Sequence, residues 1–181
     1  MILSNVDALH AVARTVATAY PNWAVVASGP NRVAANEVRI KLSQLCYKAV
    51  AVGAIEDKKH IGLSAEALVI VCAARAPPNQ IADLAKEVEI LKAHNNRAVV
   101  ICDVDTVGTW ATDLVIPIPS AHPTFAWLLA TAAGHLFGYH AALTIDATAQ
   151  PLRQALQELE HLVDTLARDQ PNARRDSRPS D

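Results

Sequence analysis

Apolar residues in this chain follow two rhythms, one recurring every third or fourth position and one running unbroken for five or six. Val6, Leu9, Val12, Ala13 and Val16 recur at helical spacing until Tyr20-Pro21-Asn22 ends the run. Trp23-Ala24-Val25-Val26-Ala27 is short and β-rich, and it closes on the small-residue turn Ser28-Gly29-Pro30-Asn31. A helix is predicted from Ala34 to about Lys48 with Ala34, Val38, Leu42 and Leu45 inward, followed by a strand at Ala49–Val52. Leu68-Val69-Ile70-Val71-Cys72-Ala73 is an unbroken apolar run, the mark of a strand buried on both faces.

Pro77-Pro78-Asn79 then opens a helix with Ile81, Leu84, Ala85, Val88 and Leu91 inward and Lys86, Glu87, Glu89 and Lys92 on its solvated face. Ala98–Asp103 predicts a fourth strand and Leu114–Ile118 a fifth, where Pro117 points to a sheet edge. Strands alternating with helices on short connections imply an α/β fold, a three-layer sandwich around a parallel sheet with right-handed crossovers. Two C-terminal helices complete the reading, one from Thr124 to Ala147 and an amphipathic one from about Leu152 to Arg168. The first is apolar nearly all round, but His135, His140 and Asp146 interrupt it short of the roughly 20 residues of a membrane span. A helix buried in the core or in a subunit interface is expected instead. Residues 1–169 read as one domain, and residues 170–181 as a disordered polar tail.

Charge narrows the partners. The 181 residues carry 16 Lys and Arg against 18 Asp and Glu, a net charge of -2, so no global field would attract nucleic acid or an anionic membrane. Cys46, Cys72 and Cys102 lie far apart in apolar runs, as buried free thiols do, without metal-ligand spacing. Neither a metal nor an organic cofactor is expected. The first residues lack a basic segment followed by an apolar one, so a cytosolic protein is expected.

Candidate chemistry sits in two places. Glu37, Lys41 and Gln44 recur at i, i+4 and i+7 and therefore share one helix face, either as site residues or as a surface ion pair with a neighbour. The charged segment Glu56-Asp57-Lys58-Lys59-His60 lies between two strands, where open α/β sheets put ligand-contacting groups. A cation, a carboxylate and a histidine there suit an anionic, oxygen-rich small molecule. Ser28, Gly29 and Asn31 form a turn that is either a phosphate cradle at a helix N-terminus or a turn without a ligand.

Three blocks carry a resemblance to a known family: Glu37-x-x-x-Lys41-Leu42, the segment Glu56–His60, and Gly134-His135-Leu136-Phe137-Gly138-Tyr139-His140-Ala141-Ala142-Leu143 with Gln150-Pro151 beyond it. From about Trp23 to Gln157 the chain resembles a SIS (sugar isomerase) domain, most closely the isomerase domains of the glutamine–fructose-6-phosphate aminotransferases of amino-sugar metabolism, the glucosamine-6-phosphate synthases. The resemblance implies a five-stranded, flavodoxin-like parallel sheet and a hexose phosphate or amino-sugar phosphate as ligand. It implies catalytic positions at His60, Glu37, Lys41 and Gln44, with Ser28, Gly29, Asn31 and Lys59 binding substrate. It implies a homodimer too, because the family histidine matched by His60 reaches the neighbouring subunit's site.

The chain also departs from the family. The family's base is a glutamate and here it is Gln44, whose amide cannot accept a proton at neutral pH. The family's C-terminal lysine would fall near Leu156, and its glutaminase and first SIS domains have no counterpart here. Two readings follow. One is the isomerase end of a sugar-phosphate aminotransferase, working with a partner SIS or glutaminase domain. The other is a non-catalytic module, a sensor or remnant, that binds a phosphosugar without turning it over.

Overall fold

The computed structural model describes residues 6–56 and 67–169. Five strands form one sheet: β1 (Asn22–Ala27), β2 (Val50–Gly53), β3 (Ala67–Ala73), β4 (Arg97–Asp103) and β5 (Val115–Ile118). Their order is β2-β1-β3-β4-β5, and every pairing is parallel. Helices α1 (Val6–Val16), α2 (Asn31–Cys46), α3 (Pro78–Ala93) and α4 (Ala126–Asp169) complete the chain, with a 3-10 segment at Val104–Thr109. This is the parallel α/β sheet that the alternating pattern predicts, with the flavodoxin-like arrangement that the resemblance implies. Pro117 falls on the edge strand β5, where its missing N–H costs least.

Successive residues of a strand face opposite sides of the sheet, and the core divides accordingly. Trp23, Val25, Leu68, Ile70, Val99 and Ile101 pack with α1, α2 and the first part of α4. Val26, Val69, Val71, Val100 and Cys102 pack on the other face against Leu84, Val88 and Leu91 of α3. All seven residues of β3 are buried, as its unbroken apolar run requires. Trp23 anchors the first face: its indole N–H donates to the Tyr20 carbonyl at 2.8 Å, and the Lys48 ammonium lies 4.9 Å from the ring centre. The three cysteines are free and buried, and burial pushes the thiols up, to about 11 for Cys46 and about 12 for Cys72.

Two expectations are corrected. Leu45, expected inward on α2, is 39% exposed, because the helix ends at Cys46 and that cysteine takes the inward place four residues after Leu42. The two expected C-terminal helices are one, since α4 runs through Pro151. A proline inside a helix costs roughly 3 kcal/mol, but Ala, Gln, Leu and Arg on either side favour helix and no glycine stops it. Arg153 donates to the Asp146 carbonyl at 3.3 Å and to its carboxylate at 2.7 Å, which ties the turns on either side of the proline together.

The chain divides into two compact units, Met1–Ile145 and Asp146–Asp181. In the first, Ala126, Ala130, Ala133, Phe137 and Ala141 of α4 are buried with the core. In the second, Leu152, Leu156, Leu159, Leu162, Val163 and Leu166 are all more than half exposed. The whole of α4 is long and apolar enough, by length and composition alone, to cross a membrane, which for one helix is weak evidence.

Helix α4 meets α2 through two glycines. A Cβ placed at Gly134 would stand 2.2 Å from a methyl of Val38, and one at Gly138 would stand 3.2 Å from a methyl of Leu42. The Cys46 thiol also donates to the Gly138 carbonyl at 3.6 Å. Gly134→Ala is expected to lower stability by about 1–3 kcal/mol, the cost of overpacking a close-packed contact, read from the urea unfolding midpoint. Unchanged stability would mean that the helices approach less closely.

Candidate functional site

All strands run the same way, so the loops after β1, β2, β3 and β4 collect along one edge of the sheet. The chain winds outward in opposite directions from β1 and β3, and open α/β sheets bind ligands in the crevice at such a switch. Gly29 has a φ of +57°, a conformation that glycine adopts without strain, and the turn it makes leads directly into α2. The amides of Arg32 and Val33 donate back to the carbonyls of Gly29 and Pro30 at 3.1 and 3.2 Å. The Ser28 hydroxyl donates to Glu56 at 3.3 Å, tying the loop after β1 to the loop after β2.

Asn31 ties the same loop to its other neighbour. Its side-chain N–H donates to the Ala74 carbonyl at 2.8 Å, and its Oδ1 is buried without a hydrogen-bond partner. Next to Ala74, Arg75 has a φ of +47°, and its backbone N–H donates to Asp103 Oδ2 at 2.6 Å. Asp103 is 2% exposed, and its Oδ1 also lacks a partner. Burial pushes this carboxyl above its usual range, against the opposing pull of the Arg75 N–H and guanidinium. Two buried side chains thus clamp the Ala74–Arg75 turn.

On the β2 side of α2, Arg32, Ala35, Asn36, Val52 and Gly53 line a small open cleft. The Asn36 amide donates to the Arg32 carbonyl at 3.0 Å, which leaves the Arg32 guanidinium as the exposed cation of the cleft. Sequence reasoning passed over Arg32 and Asn36. Their position in the first turns after the β1 loop was the available signal.

The second predicted group lies further along α2. Glu37 and Gln44 are exposed, Lys41 is half-buried, and the Lys41 ammonium donates to Gln44 Oε1 at 3.4 Å. At 1.5 Å per residue, Gln44 stands roughly 20 Å beyond Asn31 along the helix axis. The structure therefore brings Ser28, Gly29, Asn31 and Glu56 together and sets Lys41 and Gln44 apart from them. Lys59 and His60 lie outside the described residues, as does the tail from residue 170.

A residue from α4 joins the second group. The His135 ring is close enough to feel the charges of both Glu37 and Lys41, although burial is the largest influence and lowers its pKa. Its Nε2 is buried without a partner. His140, one turn on, stacks on His10 with ring centres 5.1 Å apart. Among the described residues no three His, Cys, Asp or Glu side chains cluster as metal ligands would.

No family model matches the sequence, and no curated protein does either. Solved structures do match in three dimensions. The C-terminal domain of glucosamine-fructose-6-phosphate aminotransferase from Francisella tularensis aligns with a TM-score of 0.71 at 13% identity, over 80% of this chain and 41% of that one. The chain has the fold of a sugar isomerase (SIS) domain. The sugar isomerase domain of an RpiR transcription factor from Sphaerobacter thermophilus aligns at a TM-score of 0.59 and 17% identity, over 84% of this chain and 86% of that one. Tagatose-6-phosphate ketose/aldose isomerase from Escherichia coli aligns at 0.56 and 18%, over 78% and 41%. The chain thus spans about two fifths of the aminotransferase's C-terminal domain and of the isomerase, and most of the transcription factor's domain, and at these identities the likeness carries the SIS fold alone.

Asp103 offers a test of the clamp. With its pKa raised by folding, its ionised form opposes folding above the unfolded value near 3.8, and that penalty is absent below it. Asp103→Asn keeps an acceptor for the Arg75 N–H and removes the buried charge. The variant is expected to unfold at a higher temperature than the parent at pH 7, with the difference shrinking towards pH 4. A lower unfolding temperature at pH 7 would contradict this account of the clamp.

Proposed function

We propose that this SIS-fold chain binds a sugar phosphate at the C-terminal edge of its sheet and does not isomerise it. The phosphate meets the turn Ser28–Asn31 and the guanidinium of Arg32 at the positive end of α2. The sugar extends from there towards Glu37, and the resemblance implies Lys59 and His60 as further contacts. The absence of turnover rests on Gln44, an amide where the resembled family has its glutamate base, whose Oε1 accepts from the Lys41 ammonium at 3.4 Å. Moving a proton between adjacent sugar carbons needs a base of suitable pKa, and an amide held by an ammonium is not one.

A second reading, a catalytic half completed by a partner SIS or glutaminase domain, draws on the aminotransferase match, of which this chain spans 41%. The match over 86% of the sugar isomerase domain of the transcription factor is consistent with this fold serving as a module outside an enzyme.

Titration calorimetry with fructose 6-phosphate and glucosamine 6-phosphate, with fructose as control, is expected to give saturable heat only with the phosphates. Arg32→Ala is expected to weaken binding roughly 10- to 150-fold, as loss of a charge-assisted contact of roughly 1.5–3 kcal/mol would. Conversion of fructose 6-phosphate by the pure protein would refute the non-catalytic reading, and equal heat with fructose would refute the phosphate site.

A further inference from the structure

We propose that the C-terminal part of α4 pairs with the same segment of a second copy as an antiparallel two-helix coiled coil. Ala149, Leu152, Leu156, Leu159, Val163 and Leu166 are spaced 3, 4, 3, 4 and 3 residues apart, the alternation that keeps one seam facing a partner helix. From Leu152 to Leu166 every seam residue is more than half exposed, so the stripe has no cover within the described chain. Pro151 falls opposite the seam and leaves it uninterrupted.

Size and charge select the occupant and its direction. Antiparallel pairing about a two-fold axis between residues 157 and 158 makes the layers Ala149–Leu166, Leu152–Val163 and Leu156–Leu159, each formed twice. Small meets large in the outer layers. A parallel pair would instead stack Ala149 on Ala149 and leave a gap. The same axis sets Arg153 against Glu160 of the other copy, again twice, and Ala155 against Leu162. Parallel pairing places no opposite charges together at these flanking positions. Arg153 already binds Asp146 at 2.7 Å, but that pair is exposed and weakly held, and the guanidinium fork has donors left for Glu160. A lipid surface would not select this matching of sizes and signs.

The test uses the full chain. Spin labels at Gln157→Cys are expected to give a short inter-chain distance, and labels at Arg168→Cys one on the order of 20 Å longer, since the ends diverge at 1.5 Å per residue. Leu159→Glu, a change at an exposed position, is expected to abolish the short distance and weaken this association at least tenfold, while circular dichroism stays native. Arg153→Glu and Glu160→Arg are each expected to weaken pairing, and the double exchange to restore it. These distances report the α4 seam whether or not copies also meet elsewhere. Equal distances at the two label sites would overturn the antiparallel arrangement. Absence of any inter-chain distance at 100 µM, or binding to lipid vesicles in its place, would overturn the pairing.

Discussion

The close contact of α4 on α2 is the constraint on which the rest of this molecule depends. Gly134 and Gly138 present bare backbone to the side chains of Val38 and Leu42, so α4 packs directly onto those side chains of α2. Because α2 starts at the turn after β1, fixing its body also fixes Gly29, Asn31 and Arg32 at the sheet edge. The same contact brings His135 to Glu37 and Lys41. Packing and site geometry are one problem here: a small change in the glycine contact would move the N-terminal turn of α2 relative to the loops it is bonded to.

At that edge the polar groups do two jobs. Asn31 and Asp103 each satisfy one backbone group of the Ala74–Arg75 turn and leave one oxygen unpaired. A buried carboxylate whose charge opposes folding is unusual in a purely structural role, since an asparagine would hold the Arg75 N–H at less cost. Such local expense is typical of positions kept for a ligand. Arg32, exposed at the start of α2, is the cation that the proposed site offers to an anionic group.

Much of the fold was legible because strands buried on both faces must be continuous apolar runs, as Leu68–Ala73 and Ala98–Asp103 are. The expected break in α4 does not occur because Pro151, a strong local signal, stands among good helix formers, and the Arg153–Asp146 tie across it depends on where the helix puts those side chains. Leu45 was misread because periodicity does not say where a helix stops. The site was legible by type at Ser28, Gly29 and Asn31. Arg32, Asn36 and the clamp by Asp103 became visible only once β1, β2, β3 and β4 were set side by side. Helical spacing put Glu37, Lys41 and Gln44 on one face but could not set their distance from the β1 turn.

The central claim is that the phosphate end of the ligand sits at the turn between β1 and α2. Amide chemical-shift mapping of the labelled protein with glucosamine 6-phosphate tests it most directly. The account predicts that the largest shifts fall on Gly29, Asn31, Arg32, Asn36 and Gly53 and saturate with ligand. Shifts confined to Lys41–Leu45, or none at millimolar ligand, would contradict it.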